Sequence, residues 1–197
     1  MTVDQEDTAP PRRSDRTKAA ILDAARERFA ADGYARATIR AIAGQAGIDP
    51  SMVIRYYGSK EGLFAAAADF TLDLPDVSAT PITEWGPILA HHVVHRWESN
   101  DTLVALLRVA ATHEAATARM RAIFAGQVAP VVAAAEPDPA MAARRAGMLS
   151  TQMLGLALTR YVLRLPPVVA MTADEVATWI APVIQHYLTG RPGTPLT

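Results

Sequence analysis

Two sets of residues in this chain have types and spacings that could do chemistry. The first lies in Thr38–Lys60, T-I-R-A-I-A-G-Q-A-G-I-D-P-S-M-V-I-R-Y-Y-G-S-K. Arg55 supplies a guanidinium that can pair with both acceptors of a guanine, at about 1–3 kcal/mol of discrimination, or clamp a phosphate. Lys60 falls at the start of a helix, where exposed N–H groups and an ammonium together suit an anion; the plainer alternative is an exposed lysine. The second set is His91 and His95, one helical turn apart with His92 and His113 nearby, a spacing that suits two ligands of a metal. No matching carboxylate or cysteine cluster completes that site in the sequence. The expectation is therefore no metal, with histidines partly exposed or lining a pocket. No G-x-S-x-G elbow, H-E-x-x-H, P-loop or dinucleotide glycine pattern occurs, so no catalytic residue is assigned.

The elements around the first set follow from local rules. Thr38 can accept a backbone N–H as an N-cap, and Ile39, Ile42, Ala43 and Ala46 recur at helical spacing. Gly47 stops this helix. Asp49 opens the next as a capping carboxylate, with Pro50 at the first helical position, where a missing N–H costs nothing. Two short helices across a glycine turn form a helix-turn-helix, whose second helix can lie in a DNA major groove. Ala43 and Gly47 are expected to let the helices cross closely, Gly47 also to adopt a left-handed backbone, and Ile48 and Val53 to supply the shared apolar contact. A tight hairpin of this kind also occurs as mere packing.

With its flanks, G-Y-x-x-A-T-I-R-A-I-A-x-x-A-G-I-D-P-S-x-V-x-R-Y-Y-G-S-K-E-G-L-F resembles the DNA-binding domain of the TetR family of bacterial transcriptional regulators, over about residues 16–64. The resemblance implies a dimeric, all-α, ligand-responsive repressor. It places Thr38, Tyr56 and Lys60 where phosphate contacts are made, and Arg40, Ser51, Met52 and Arg55 where bases can be reached. Met52 can read only by apolar contact, for instance with a thymine methyl. Ile54 departs from the pattern, standing where the family commonly has a tyrosine bonded to the DNA backbone; the Tyr56 hydroxyl can compensate.

Composition agrees with a helical protein. Half of the 197 residues are hydrophobic and only 6% aromatic, a usage that favours helices over strands. With no cysteine, neither a disulfide nor a thiolate metal site can form. The N-terminus lacks a cationic region followed by an apolar core, and Gly147–Thr159 is too short to span a bilayer, so a cytoplasmic protein without membrane contact is expected. The net charge of −1 is unevenly placed: residues 12–60 hold ten Lys/Arg against five acids, and residues 61–197 hold nine against twelve. A basic module on a mildly acidic body suits a phosphate-facing domain, although a solvated basic face has the same composition.

Along the chain, residues 1–15 read as a disordered arm and 16–73 as the helix-turn-helix domain with its connecting fourth helix. That domain opens with a helix over Arg16–Asp32 ended by Gly33, and its fourth helix runs from the Ser59 cap to about Asp73 with Leu63, Phe64, Ala67 and Phe70 buried. Leu74–Pro81 reads as a linker. Residues 82–189 read as a larger helical ligand-binding and dimerisation domain, and 190–197 as a tail. In it, helices are expected at about 84–99, 102–113, 115–135 with a bend or break at Pro130, 139–165, and from the Thr172–Glu175 capping box to Leu188.

The helix from Pro139 carries two stripes, Gly147/Thr151/Leu154/Leu158/Tyr161/Leu165 and Met148/Gln152/Gly155/Thr159/Val162. A helix with two apolar faces must bury both, and the simplest cover is a second subunit forming a two-fold four-helix bundle. A deeply buried helix in a monomer is the alternative. The resemblance implies a pocket for an unknown small-molecule effector, with Trp97, Leu107, Met120, Phe124, Met148, Gln152 and Tyr161 as candidate walls; each could also be plain core. No cofactor is implied. The expected function is a ligand-released repressor that binds a palindromic double-stranded DNA operator as a homodimer. The competing readings are a helical dimer acting as a small-molecule binder or scaffold without sequence-specific DNA binding, and an enzyme, for which only the expectation of a cavity speaks.

Overall fold

The computed structural model of the chain describes residues 13–67, 71–191 and 193. The sequence readings of residues 1–12, of Phe70 and of most of the tail lie outside them. All regular elements among the described residues are helical, as the composition requires. The chain divides into two compact units, Met1–Ala68 and Asp69–Thr197.

The first unit contains α1 (Arg13–Arg36), α2 (Ile39–Ala46), α3 (Pro50–Tyr57) and α4 (Lys60–Ala67). Helix α1 runs past its expected end, but Gly33 at φ 74°, ψ 163° kinks it, so the glycine still breaks the helical path. Ile21, Ala25, Phe29, Ile42, Val53, Leu63 and Phe64 make the core. Tyr34 closes it: its ring lies 4.7 Å from Phe64 and 6.1 Å from Phe29 between centroids, and its hydroxyl donates to Glu61 at 2.7 Å. Ser59 caps α4 by accepting from Gly62 N–H at 3.1 Å. Helical geometry does not reach Asp73, because residues 71–73 are irregular and Asp73 has a positive φ of 47°.

The second unit contains α5 (Trp85–Glu98), α6 (Asp101–Ala110), α7 (Glu114–Ile123), α8 (Ala129–Ala135), α9 (Pro139–Ala157), α10 (Pro166–Val169) and α11 (Ala173–Thr189). Its core joins Leu89 and Val94 of α5, Val132 of α8, Ala146 and Leu149 of α9, and Val176, Ile180, Ile184 and Leu188 of α11. Helices α5 and α11 approach closely at Gly86: a Cβ there would meet Gln185 Cβ at 2.6 Å and the Ala181 carbonyl at 2.7 Å. Gly86 N–H also donates to Gln185 Oε1 at 2.8 Å.

The helix expected over 115–135 is broken near Pro130 as read: α7 and α8 are joined by a π turn, Phe124–Val128, because a wider turn accommodates a residue that cannot donate to the carbonyl four positions back. Three expectations need correction. The helix expected through Leu165 leaves α-geometry after Ala157 in a second π turn, Leu158–Val162, and Pro166-Pro167 open α10 instead of following a helix. Helix α9 buries neither stripe read from the sequence. Its buried face is Ala142, Ala146, Leu149 and Ala157, largely alanines whose weak hydrophobicity hides the stripe. Finally, the segment read as a linker, Leu74–Pro81, is packed in part: Val77 is buried, Leu74 lies against the core of the second unit, and Trp85 Nε1 donates to the Thr80 carbonyl at 3.0 Å.

Candidate functional site

Capping chemistry sets the helix-turn-helix. Thr38 Oγ1 accepts from Ala41 N–H at 3.1 Å and Asp49 Oδ1 from Ser51 N–H at 2.8 Å, so both helix starts are fixed by side chains. Hydrogen bonds from Ser51 also hold the Asp49 carboxyl below the ordinary range. Between the helices, Gly47 adopts φ 67°, ψ 32°, and its N–H and that of Ile48 bond back to α2 carbonyls. A Cβ at Gly47 would meet nothing within 4 Å. The glycine is there for its left-handed backbone, and close helix crossing is not its reason. Ala43 and Val53 are fully buried between the helices, with Ile48 half-buried.

This frame leaves one side of α2 and α3 facing out. Thr38, Arg40, Ser51, Ile54 and Arg55 are exposed, while Met52 and Tyr56 are half-buried. Much of the basic surplus is already engaged: Arg26 pairs with Asp23 at 2.8 Å, Arg28 with Asp32 at 3.4 Å, and Arg36 donates to the Asp32 carbonyl at 2.9 Å. Lys60 is half-buried; its ammonium donates to the Ala35 carbonyl at 3.3 Å and lies 4.5 Å from the Tyr34 ring centroid. Lys18 lies 5.6 Å over the Tyr56 ring, and the Tyr57 hydroxyl donates to the Lys18 carbonyl at 3.1 Å. Helix α1 thus braces α3 from behind. Burial pushes the Tyr34 phenol well above its ordinary pKa, and the bond to Glu61 and that residue's charge push it further.

The chain carries the family's two parts in order. Residues 21–67 match the profile of bacterial regulatory proteins of the tetR family, and residues 83–188 match that of the tetracyclin repressor-like C-terminal domain. The chain belongs to the TetR family. It is a DNA-binding transcriptional regulator, and the exposed side of α2 and α3 lies in the domain that carries this activity. A TetR-family transcriptional regulator from Rhodococcus sp. shares the fold at TM-score 0.56 and 16% identity, covering 88% of this chain and 99% of that one. So does the fatty acid degradation regulator FadR from Bacillus halodurans, at TM-score 0.52 and 15% identity, covering 89% and 97%. A TetR-family regulator from Streptomyces coelicolor is 29% identical over 91% of this chain and 99% of that one, with a TM-score of 0.48. No curated protein gave a match. No helix among the described residues of this TetR-family chain is long and apolar enough to cross a membrane.

The second unit holds a partly open cavity of about 280 Å³ between α5, α6, α7, the first π turn, α8, α9 and α11. Three of the seven residues expected to line a pocket do so: Trp97, Met120 and Phe124. The other four stand elsewhere. Leu107 is half-buried on α6 away from the lining, and Met148 is half exposed on the outer side of α9. Gln152 lines a shallow groove between α9 and α11, and Tyr161 stacks behind Trp97 with its hydroxyl on the Val94 carbonyl at 3.3 Å. Leu72, Leu89, Val93, Leu103, Leu149 and Met153 are among the other apolar residues of the wall, with Ser150 and Arg121 as its polar members. Ser150 lies next to the buried Leu149, and recognising the alanine face of α9 would have pointed to it. The positions taken from the sequence lay on the wrong side of that helix.

Tyr161 belongs to the second π turn, which is anchored by the buried Arg160. That guanidinium donates to Glu98 Oε1 through Nε at 3.1 Å and Nη2 at 2.5 Å, and through Nη1 to the Val168 and Met171 carbonyls. Burial opposes its charge, and the bonds and charge of Glu98 together with the neighbouring Tyr161 more than offset that, so its pKa stands above the ordinary value. Nothing in the local sequence marks this pair, whose partners are 62 positions apart. The histidine reading is also revised. Asp174, at the start of α11, lies 3.2 Å from His91 Nε2 and 3.1 Å from His95 Nε2, supplying the carboxylate that the sequence did not place. His92 instead bonds to the Leu72 carbonyl at 2.8 Å.

Proposed function

We propose that this regulator acts in the cytoplasm as a homodimeric repressor, whose two α3 helices read the halves of a palindromic operator and whose grip is released by an apolar small molecule. Affinity comes from phosphate contacts at Thr38, Tyr56 and Lys60, and sequence preference from Arg40, Ser51, Met52 and Arg55. No catalytic role is assigned. The observation that carries the reading is the exposed side of α2 and α3, where Arg40, Ser51 and Arg55 stand on backbone fixed by two side-chain caps and a left-handed glycine.

Dimerisation through α9 and α11 is supported by what that face leaves uncovered. Trp179, 75% exposed, lines the groove together with Thr151, Gln152, Gly155 and Thr159, and Met148, 50% exposed, stands one turn before Gln152 on α9. A Cβ at Gly147 or Gly155 would meet nothing within 4 Å, so a partner helix can approach closely. Two heads held by such a bundle must sit about 34–36 Å apart, one turn of DNA, so a small pivot spoils the fit.

The effector reading rests on the cavity. Burying about 200 Å² of ligand apolar surface is worth roughly 5 kcal/mol. Moving a population from mostly bound to mostly free needs about 5.5 kcal/mol of preference between the two states. An apolar ligand therefore reaches the required scale only if most of its binding energy is lost when the cavity is closed.

A gel shift with the DNA upstream of its own coding region, paired with sedimentation equilibrium, tests the proposal. The wild type should bind there as a dimer with sequence preference. Trp179→Glu should give a helical monomer that no longer binds, and Arg55→Ala a dimer that loses preference at one symmetric pair of base positions. A wild-type monomer at working concentration, or failure to bind any duplex at low salt, refutes it.

A further inference from the structure

We infer that His91, His95 and Asp174 form a binding site for a divalent transition metal, of which zinc is the prototype. The two histidines lie one turn apart on α5, and the ring centroids stand 4.2 Å apart. Both Nε2 atoms converge on Asp174 Oδ1, at 3.2 and 3.1 Å, and all three ligand atoms fit within 4.8 Å of one another. With metal–ligand bonds of about 2.0–2.2 Å, neighbouring ligand atoms of a tetrahedral zinc are about 3.3 Å apart. The cluster therefore needs only small rotamer adjustments to close on an ion.

The ligands stand on rigid backbone. Helices α5 and α11 meet at Gly86 with no room for a Cβ. Asp174 sits in the first turn of α11 between the partners of the Thr172–Glu175 capping box, in which Thr172 Oγ1 accepts from Glu175 N–H at 3.2 Å and Glu175 Oε2 from Thr172 N–H at 2.7 Å. An exposed His–Asp pair contributes little to stability, so packing alone gives no reason for two imidazoles to share one carboxylate oxygen. Imidazole nitrogens favour zinc, copper or nickel over magnesium or calcium. His91 is 63% exposed, His95 45% and Asp174 76%, so solvent can fill the remaining coordination positions. On binding, each Nε2 offers its lone pair in place of a hydrogen, and the ion joins the first turn of α11 to the middle of α5. This site is independent of the cavity and of the operator reading.

The test uses the full chain without a polyhistidine tag, stripped with chelator and titrated with zinc against a chromogenic competitor, with cobalt as a spectroscopic probe. The expected result is one ion per chain and the visible ligand-field bands of a four-coordinate cobalt site. His91→Ala, His95→Ala and Asp174→Asn should each weaken zinc binding by at least about 100-fold, since loss of outer partners alone costs 10–100-fold. His186→Ala, on α11 away from the cluster, should bind as the wild type does. Helical circular dichroism of the stripped variants separates ligand loss from misfolding, and zinc should raise the melting temperature of the wild type and of His186→Ala but not of the three ligand variants. Absence of saturable one-per-chain binding, or binding kept by His91→Ala or Asp174→Asn, overturns the inference.

Discussion

Replacing Arg160 by methionine tests the anchor beneath the cavity wall. The Arg160 side chain is 10% exposed and Glu98 33%, and three of the guanidinium nitrogens bond to Glu98 and to the carbonyls of Val168 and Met171. Removing one partner of a buried ion pair costs about 3–5 kcal/mol, chiefly because the remaining charge stays behind. Glu98 retains contact with water over a third of its surface, so the lower end, about 3 kcal/mol, applies. For a chain of this size each kcal/mol moves the melting temperature by roughly 2–4 °C, which gives about 6–12 °C. The assay is calorimetry at one fixed protein concentration, since association would also shift the transition. Glu98→Leu in the same background should recover much of the loss, because the stranded carboxylate is then removed. Melting of Arg160→Met within about 2 °C of wild type, or a double variant worse than the single, would refute the argument.

Gly47→Ala should destabilise the first unit by about 1–2 kcal/mol in urea unfolding and Gly47→Asn by less, since only the left-handed backbone opposes a side chain there; a neutral alanine would disprove this. Lys60→Ala should lower the salt slope of operator binding by about 1.8, roughly 0.9 for each copy in the dimer, and an unchanged slope would remove Lys60 from the phosphate contacts. Because the folded pKa of Tyr34 is raised, its contribution to stability is complete below the ordinary tyrosine value of about 10 and is lost as pH rises beyond it. Unfolding at pH 9 and above pH 10 should therefore show a loss that Tyr34→Phe lacks, and equal losses in both proteins would contradict the burial argument.

The sequence exposes what depends on neighbours a few positions apart. The Thr38, Asp49, Ser59 and Thr172 caps, the stop at Gly47 and the break near Pro130 each need only local hydrogen bonding or a missing donor, and all are present in the structure. What depends on distant partners is hidden. The pairing of Arg160 with Glu98 and the convergence of Asp174 on two histidines of α5 arise only once α5, α9 and α11 have packed. The cavity was half legible for a related reason: Trp97, Met120 and Phe124 are large apolar residues wherever they stand, whereas the choice between Met148 and Leu149 turns on a buried face made of alanines.

The π turn at Phe124–Val128 carries one residue more than an α-helical turn would, and it absorbs that residue locally. Deleting a single residue there would leave the later side chains of α8 in register, with Val131 on the cavity wall and Val132 in the core. It would instead place Pro130 in the interior of an unbroken α-helix, where its ring meets the carbonyl four positions back. Only together with replacement of that proline would the shortening be tolerated, so the surplus residue and the imino acid form a matched pair that must be gained or lost as one.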